Sequence, residues 1–218
     1  MIYDYPVIIA DNFFKYPQDV RELALSMDYY PSEIGTYSGI RTESLHLTHT
    51  NFFREVCCKI LNSYSLRFTD YIATMHFHLT GEEFGDSGWV HIDGSTVIAS
   101  IIYLNLDNND INTGTCLYKL KNLNHGIETL PAMKKSFITA ADNEQIKLQH
   151  NQDYTPVVKI GNMFNRMIAY DARNPHAGSS YYGNSKETER LTLLTFFEKI
   201  ILEDDTPPLR RADRFSKL

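Results

Sequence analysis

The sequence predicts a mainly β domain with helices at its N-terminal end, a β-barrel or sandwich buttressed by those helices. Near residue 71 the spacing of apolar residues changes from a helical period to an alternation of two. From there to residue 197, short β-branched runs are separated by turn clusters rich in Asn, Asp, Gly and Ser. Composition agrees: 218 residues, 43% hydrophobic and 22% charged, is long and apolar enough to bury one core and too apolar for disorder.

Each element follows in order. Pro17 is tolerated at the first helical position. Val20, Leu23, Ala24 and Met27 then fall at i, i+3, i+4 and i+7, one apolar face. A second helix is expected from Thr50 or Asn51, either of which can cap it. Phe53, Val56, Cys57, Ile60, Leu61 and Tyr64 form its apolar face, with Cys57 as a small core hydrophobe. Ile72, Thr74, His76 and His78 alternate with Ala73, Met75, Phe77 and Leu79, a half-buried strand. Val97 to Leu104 is a continuous apolar run fit for a central strand. Further strands are expected at 115–120, 156–160, 164–170 and 190–197. The segment 121–155 fits no strand pattern and reads as a long, lid-like insertion with a short helix around 143–150. The chain reads as one domain: a helical part over about 1–68, a β core over about 69–200 and an exposed tail over 201–218.

The net charge of -6 argues against a general binder of phosphate backbones, so no nucleic-acid partner is expected. No apolar stretch approaches membrane-helix length. Met1-Ile2-Tyr3-Asp4 has neither the basic nor the apolar run of a signal peptide, so the expected compartment is the cytoplasm. Cys57, Cys58 and Cys116 are an odd number with two adjacent, which suits a reduced compartment. Without a zinc-type cysteine pair, any metal must be held by histidine and carboxylate. The eight histidines are therefore the residues to follow.

Three pieces of sequence bear on chemistry. In Trp89-Val90-His91-Ile92-Asp93-Gly94, residues 91 and 93 share a face if the segment is a strand, and Gly94 permits a turn. Alone, this is equally a polar strand edge. His176 follows Pro175 in a turn after a strand-like run, 82 intervening residues beyond Asp93. Two histidines and a carboxylate can occupy one face of an octahedral metal and leave three positions open, as in non-haem Fe(II) oxygenases. Arg190 opens an otherwise apolar strand, where its planar fork calls for an anion, bidentately a carboxylate. A surface salt bridge with Glu187 or Glu189 is the plainer alternative.

Taken in order, His91-x-Asp93, Ile101-Ile102-Tyr103-Leu104-Asn105, Thr113-Gly114-Thr115-Cys116-Leu117-Tyr118, Arg173-Asn174-Pro175-His176 and Arg190 at the start of the last strand resemble the Fe(II)/2-oxoglutarate-dependent dioxygenases. The likeness is to the prolyl 4-hydroxylase branch and its small bacterial and phage relatives, and extends over roughly residues 7 to 200. Asp11-Asn12-Phe13-Phe14, Asp19-Val20-Arg21 and Gly39-Ile40-Arg41-Thr42 also look like such small relatives. The resemblance implies a double-stranded β-helix (jelly-roll) core with N-terminal helices packed on one sheet. It implies Fe(II) held by His91, Asp93 and His176, with 2-oxoglutarate and O2 as cosubstrates. Arg190 would grip the distal carboxylate of 2-oxoglutarate with the Tyr103 hydroxyl, and Thr192, two residues on, would face the same way. The implied reaction is hydroxylation of a C–H bond, with succinate and CO2 as coproducts and a prolyl residue of a peptide or protein, or a small molecule, as substrate. Related halogenases lack the carboxylate, so Asp93 favours hydroxylation.

The chain departs from the family pattern in two places. Arg190 lies 14 residues after His176, more than is usual in relatives, and Lys186, ten after it, competes as the anchor. Where many prolyl hydroxylases carry a pocket tyrosine, this chain has His78 nearby. His78, Trp89 and Arg41 are candidate substrate contacts, and Phe84, Tyr181 and Tyr182 are expected near the mouth. His46, His49, His125 and His150 are expected at the surface. A cupin-like metalloenzyme of another reaction type, or a silent binding module on the same fold, are the remaining readings.

Overall fold

The two apolar patterns meet each other in a computed structural model that describes residues 5–32, 37–85, 88–106, 110–121 and 140–203. Most of the 121–155 insertion, including His125, and the tail from residue 204 lie outside the described residues. The strands are β1 (Ile8–Ala10), β2 (Tyr30–Pro31), β3 (Ile40–Arg41), β4 (Phe68–Thr80), β5 (Ile98–Tyr103), β6 (Thr115–Leu120), β7 (Tyr154–Ile160), β8 (Met167–Asp171), β9 (His176–Gly178) and β10 (Arg190–Leu202). The helices are α1 (Pro17–Ser26), α2 (Leu45–Thr48), α3 (Thr50–Ser63) and α4 (Ala140–Asn151). None of them is long and apolar enough to cross a membrane, among the described residues.

Seven strands form one antiparallel sheet in the order β1-β8-β5-β10-β4-β3-β2, and three form a second in the order β7-β6-β9. The two sheets face one another as a double-stranded β-helix, or jelly roll. Strand alternation gives the large sheet two faces. Met75, Phe77 and Leu79 of β4, Ile98 and Ile102 of β5, and Leu191, Leu193 and Phe197 of β10 pack with Ala24, Val56, Ile60 and Leu61 of the helices. Ala99, Ile101 and Tyr103 of β5 and Leu194 of β10 point the other way, meeting Leu117 and Ile160 of the small sheet. Each fully buried Leu, Ile or Phe contributes about 1.5–3 kcal/mol relative to exposure. The continuous helix–sheet core thus carries much of the stability, and the inner face is left to hold polar groups.

Several boundaries differ from the sequence expectation. The segment 1–68 is not purely helical, since β1, β2 and β3 come from it and extend the large sheet at both edges. Helix α3 begins where expected, but neither Thr50 nor Asn51 caps it with a side chain. The short helix α2 leads directly into it, with His49 N–H donating to Leu45 O at 2.8 Å and Phe53 N–H to His49 O at 2.9 Å. Arg21 docks α1 onto the sheet, donating to Leu104 O and to Glu187 O, each at 2.8 Å.

Gly114, just before β6, is required by close approach. A Cβ there would lie 1.8 Å from Ile160 O and 2.8 Å from Asn162 N, both backbone atoms that cannot swing aside. Gly114→Ala is expected to lower unfolding free energy by more than about 2 kcal/mol, the scale of strained or overpacked sites. A urea midpoint within error of wild type would show that the small sheet yields more easily than this contact implies.

Candidate functional site

The centre of the site is made by backbone pairing. His91 and His176 form an isolated antiparallel bridge outside the regular strands. His91 N–H donates to His176 O at 3.0 Å, and His176 N–H to His91 O at 2.8 Å. Directly opposed residues in such a pair project to one face, and the two imidazole centroids lie 4.4 Å apart. The expectation that 91 and 93 sit on a regular strand is corrected here. Only His91 forms a bridge, and Asp93 is aimed by its own N–H, which donates to Ala172 O at 3.0 Å. His176 likewise sits in the short strand β9 rather than in a turn. The preceding turn is held by Asp171, fully buried, which accepts from Arg173 Nη2 at 2.6 Å and Nε at 2.9 Å. Gly94 is exposed and a Cβ there would meet nothing within 4 Å, so the site does not depend on it.

The tautomers of both rings follow from their partners. His91 Nδ1 lies 2.8 Å from Trp89 O, and His176 Nδ1 lies 2.9 Å from Asn174 O. A carbonyl oxygen only accepts, so each Nδ1 carries the proton and each Nε2 presents a lone pair. Both lone pairs face Asp93, with Oδ1 3.6 Å from His91 Nε2 and Oδ2 3.3 Å from His176 Nε2. One ligand atom from each of the three residues lies within 4.8 Å of the others, the one such cluster among the described residues. Two imidazole lone pairs and a carboxylate repel unless a cation lies among them. Backbone carbonyls holding the far ring nitrogens are the usual outer support of metal-ligating histidines. The donor set, two nitrogens and a hard oxygen, suits a divalent first-row metal.

These ligand atoms line a cavity of about 100 Å³. Arg190 enters it from the start of β10, only 3% exposed. Its Nε donates to Thr113 O at 3.2 Å and its Nη2 to Gly114 O at 3.3 Å. No carboxylate among the described residues forms a salt bridge with it, so a nearly dry cation is held by neutral carbonyls. Tyr103, fully buried, lies beside it, its ring centroid 5.5 Å from the guanidinium carbon and its hydroxyl donating to Thr115 Oγ1 at 2.8 Å. Burial pushes the Tyr103 phenol above its ordinary value, and the nearby Arg190 charge opposes this. Thr192 pairs with Tyr103 across the sheet and is fully buried, but it is not among the cavity-lining residues, and its Oγ1 has no hydrogen-bond partner.

Lys186 is removed from the competition. Its Nζ donates to Met27 O at 2.7 Å and lies over the Tyr29 ring, pinning the 179–189 turn to the end of α1. It does not line the cavity. The chain reaches the α1 end and returns before β10 begins, which accounts for the long spacing between His176 and Arg190.

The candidate substrate contacts Arg41, His78 and Trp89 all line the cavity, as does Tyr181. Phe84 and Tyr182 do not, and the Tyr182 hydroxyl accepts from Asn162 Nδ2 at 2.6 Å. His78 Nε2 is 2.6 Å from Ser38 O. His76 takes no part in the cavity lining, and its Nδ1 is 2.9 Å from Thr42 O. Burial lowers its pKa below the ordinary imidazole value. His46 and His49 are partly exposed, with Nδ1 atoms 2.7 Å from Ser44 Oγ and 3.0 Å from Thr48 Oγ1. His150, also expected at the surface, packs beside the cavity wall. It is partly buried between the rings of Trp89 and Tyr154, with Nε2 2.8 Å from Val90 O.

Sequence reasoning missed Asn151, whose Oδ1 accepts from Val90 N–H at 2.9 Å and whose Nδ2 donates to Gly88 O at 3.0 Å. The end of α4 thus clamps the segment that delivers His91. It also missed Tyr37, Ser38 and Tyr170, which line the cavity, Tyr170 with its ring 4.9 Å from that of His176. No local pattern marks Asn151, Tyr37 or Ser38, because their partners at the site lie far away in the sequence.

A family of unknown function (DUF6445) matches residues 3–197. No curated protein matches the chain. Among solved structures, the carbocyclase SnoK from nogalamycin biosynthesis, described as non-haem and α-ketoglutarate dependent, is similar with a TM-score of 0.53 and 11% identity, over 99% of this chain and 87% of that one. HygX from Streptomyces hygroscopicus, solved with nickel and 2-oxoglutarate bound, gives a TM-score of 0.52 and 8% identity, over 89% of this chain and 83% of that one. EvdO2 from Micromonospora carbonacea var. aurantiaca gives a TM-score of 0.51 and 12% identity, over 94% and 91%. At such identities these likenesses establish the jelly-roll fold.

Proposed function

Starting from the fact that the chain belongs to DUF6445, a family of unknown function, we propose that it is an Fe(II)- and 2-oxoglutarate-dependent dioxygenase that hydroxylates a C–H bond. One observation carries this reading. Two imidazole nitrogens and a carboxylate converge on a single point, and a buried guanidinium with no carboxylate partner among the described residues lines the same cavity. The first asks for a divalent metal, and the second asks for an anion.

His91, Asp93 and His176 would hold the metal through Nε2, a carboxylate oxygen and Nε2. Trp89 O and Asn174 O accept from the far nitrogen of each ring, so that Nε2 is the nitrogen each ligand aims at the metal. Arg190 would receive the distal carboxylate of 2-oxoglutarate, with its own carbonyl partners fixing the direction of the fork. The Tyr103 hydroxyl would turn from Thr115 Oγ1 to join that grip. When bound, iron and 2-oxoglutarate supply oxygen insertion into the substrate, with succinate and CO2 as coproducts. The protein's part is to orient them and to exclude water with Ile101, Leu194 and Tyr170 around the cavity. HygX, which shares the fold, holds nickel and 2-oxoglutarate, in keeping with this assignment. The fold also serves a carbocyclase, so fold alone does not select hydroxylation.

For the substrate we propose a prolyl residue of a peptide or protein, as the sequence resemblance implies. The aromatic rings of Tyr37, Trp89, Tyr181 and Phe196 around the cavity suit a pyrrolidine ring. The experiment is direct. Purified protein, made metal-free and then supplied anaerobically with Fe(II) and 2-oxoglutarate, is expected to retain both in roughly equimolar amounts and to release succinate when air is admitted. Retention of metal without any affinity for 2-oxoglutarate would favour the cupin-like reading, and retention of neither would favour the silent module.

A further inference from the structure

Arg41 is a second guanidinium at the cavity, separate from the Arg190 end. Across the large sheet, Arg41 of β3 pairs with His78 of β4, His78 with Thr192 of β10, and Thr192 with Tyr103 of β5. Neighbouring strands lie about 4.8 Å apart, so Arg41 stands about 14 Å from Tyr103 along this row and about 10 Å from the strand that carries Arg190. The two guanidiniums thus enter the cavity from strands two apart, and the Tyr103 end is the farther from Arg41 along the sheet.

Among the described residues, the immediate surroundings of the Arg41 guanidinium are aromatic. Its guanidinium carbon lies 3.8 Å from the Tyr37 ring centroid and 5.4 Å from that of Phe196. Its Nε is buried and has no hydrogen-bond partner. No carboxylate among the described residues forms a salt bridge with it. Burial lowers its pKa to about 10, against the opposing pull of Tyr37, Asp93 and Tyr181, so it stays charged at neutral pH. Asp93, the one carboxylate in that set, faces both histidine Nε2 atoms. A charge held between aromatic faces with an unmet donor is costly unless a ligand completes it. One guanidinium fork matches a singly charged, planar carboxylate. A phosphate dianion would call for a second cation, and the only other arginine lining the cavity is Arg190.

We propose that Arg41 anchors a carboxylate of the substrate itself, so that this protein acts on a carboxylate-bearing molecule whose apolar body lies among Tyr37, Trp89 and Tyr181. The anion site stands on geometry alone; that its occupant is the molecule oxidised rests on the dioxygenase reading above. The carboxylate has two possible sources, a free acid such as an N-acylated amino acid or the C-terminus of a peptide.

The chain's single tryptophan, Trp89, lines the cavity and reports on it. Full-length protein loaded anaerobically with Fe(II) and 2-oxoglutarate is titrated with N-acetylproline, N-acetylphenylalanine and N-acetylleucine, with their amides, and with tetrapeptides ending in each residue as acid or amide, while Trp89 fluorescence is followed. At least one acid is expected to bind about tenfold or more tighter than its amide, the scale of one charge-assisted hydrogen bond. That preference should vanish in Arg41→Met and return in part in Arg41→Lys. A preference confined to the tetrapeptide acids identifies a chain terminus, and one shared by the N-acetyl acids identifies a free acid. Equal binding of every acid and its amide overturns the proposal, as does an Arg41→Met variant that keeps the preference. If Arg41→Met instead weakens 2-oxoglutarate retention as much as Arg190→Met does, Arg41 belongs to the cosubstrate site and the proposal falls. Equilibrium dialysis separates the two readings: a wild type that prefers acids but retains neither metal nor 2-oxoglutarate keeps the Arg41 site and removes the dioxygenase.

Discussion

Asp93→Ala is expected to abolish metal retention and to lower succinate release by more than about 100-fold, since even outer-shell partners of metal ligands typically account for 10- to 100-fold. The carboxylate is the only charged donor of the three and the only one facing both imidazoles, at 3.6 and 3.3 Å. Without it, two neutral nitrogens remain. The variant should fold, because Asp93 is aimed by its backbone N–H, which alanine keeps. The discriminating measurement is the rise in melting temperature on adding Fe(II) or Mn(II) under argon, which follows from preferential binding to the folded state. Wild type should show it and Asp93→Ala should not. An equal rise in both would mean that the metal binds elsewhere.

Arg190→Met should separate cosubstrate binding from metal binding. The guanidinium is 3% exposed, holds two backbone carbonyls and has no carboxylate partner among the described residues. Losing a charge-assisted bidentate contact is expected to raise the KM for 2-oxoglutarate by about 100-fold, or about 2.7 kcal/mol. The metal-induced rise in melting temperature should be unchanged. Stability of the metal-free protein should fall by no more than about 1–3 kcal/mol, the cost of leaving Thr113 O and Gly114 O without their buried donor. Lys186→Met is the matched control. Its ammonium serves Met27 O outside the cavity, so the KM for 2-oxoglutarate should stay near that of wild type even if the loss of this contact lowers stability. Activity that survives Arg190→Met intact would point to metal chemistry without 2-oxoglutarate.

Much of the architecture was legible because it rests on periodicity. The alternation through β4 separated Met75, Phe77 and Leu79 from His76 and His78, and the structure sends the first set to the helices. The continuous apolar run at 97–104 became β5, between β8 and β10 in the large sheet. Boundaries were less legible where a neighbouring element supplied what a local signal usually supplies. Helix α2 runs straight into α3, which has no side-chain cap, and an isolated bridge rather than a strand sets His91. At the site, residue types at ordered positions singled out His91, Asp93, His176, Arg190 and Tyr103. The Lys186 alternative could not be settled from spacing, because the answer lay in where the turn docks, against Met27 and Tyr29 of the distant N-terminal segment. His150 and Asn151 were unreadable for the same reason, being contacts made about 60 residues away in the chain.

By itself the sequence determined which residue types exist and how their apolar positions repeat, and from these follow the helices, the strands and a plausible set of ligands. Only the tertiary structure decided that both imidazoles protonate at Nδ1 and aim Nε2 at Asp93, since that depends on Trp89 O and Asn174 O. It alone placed Arg41 at the same cavity as Arg190 but two strands from β10, each without a carboxylate partner among the described residues. The physical reason is that periodicity is a property of neighbours along the chain. The charge balance of a cavity is a property of neighbours in space, brought together here by strand register across four strands.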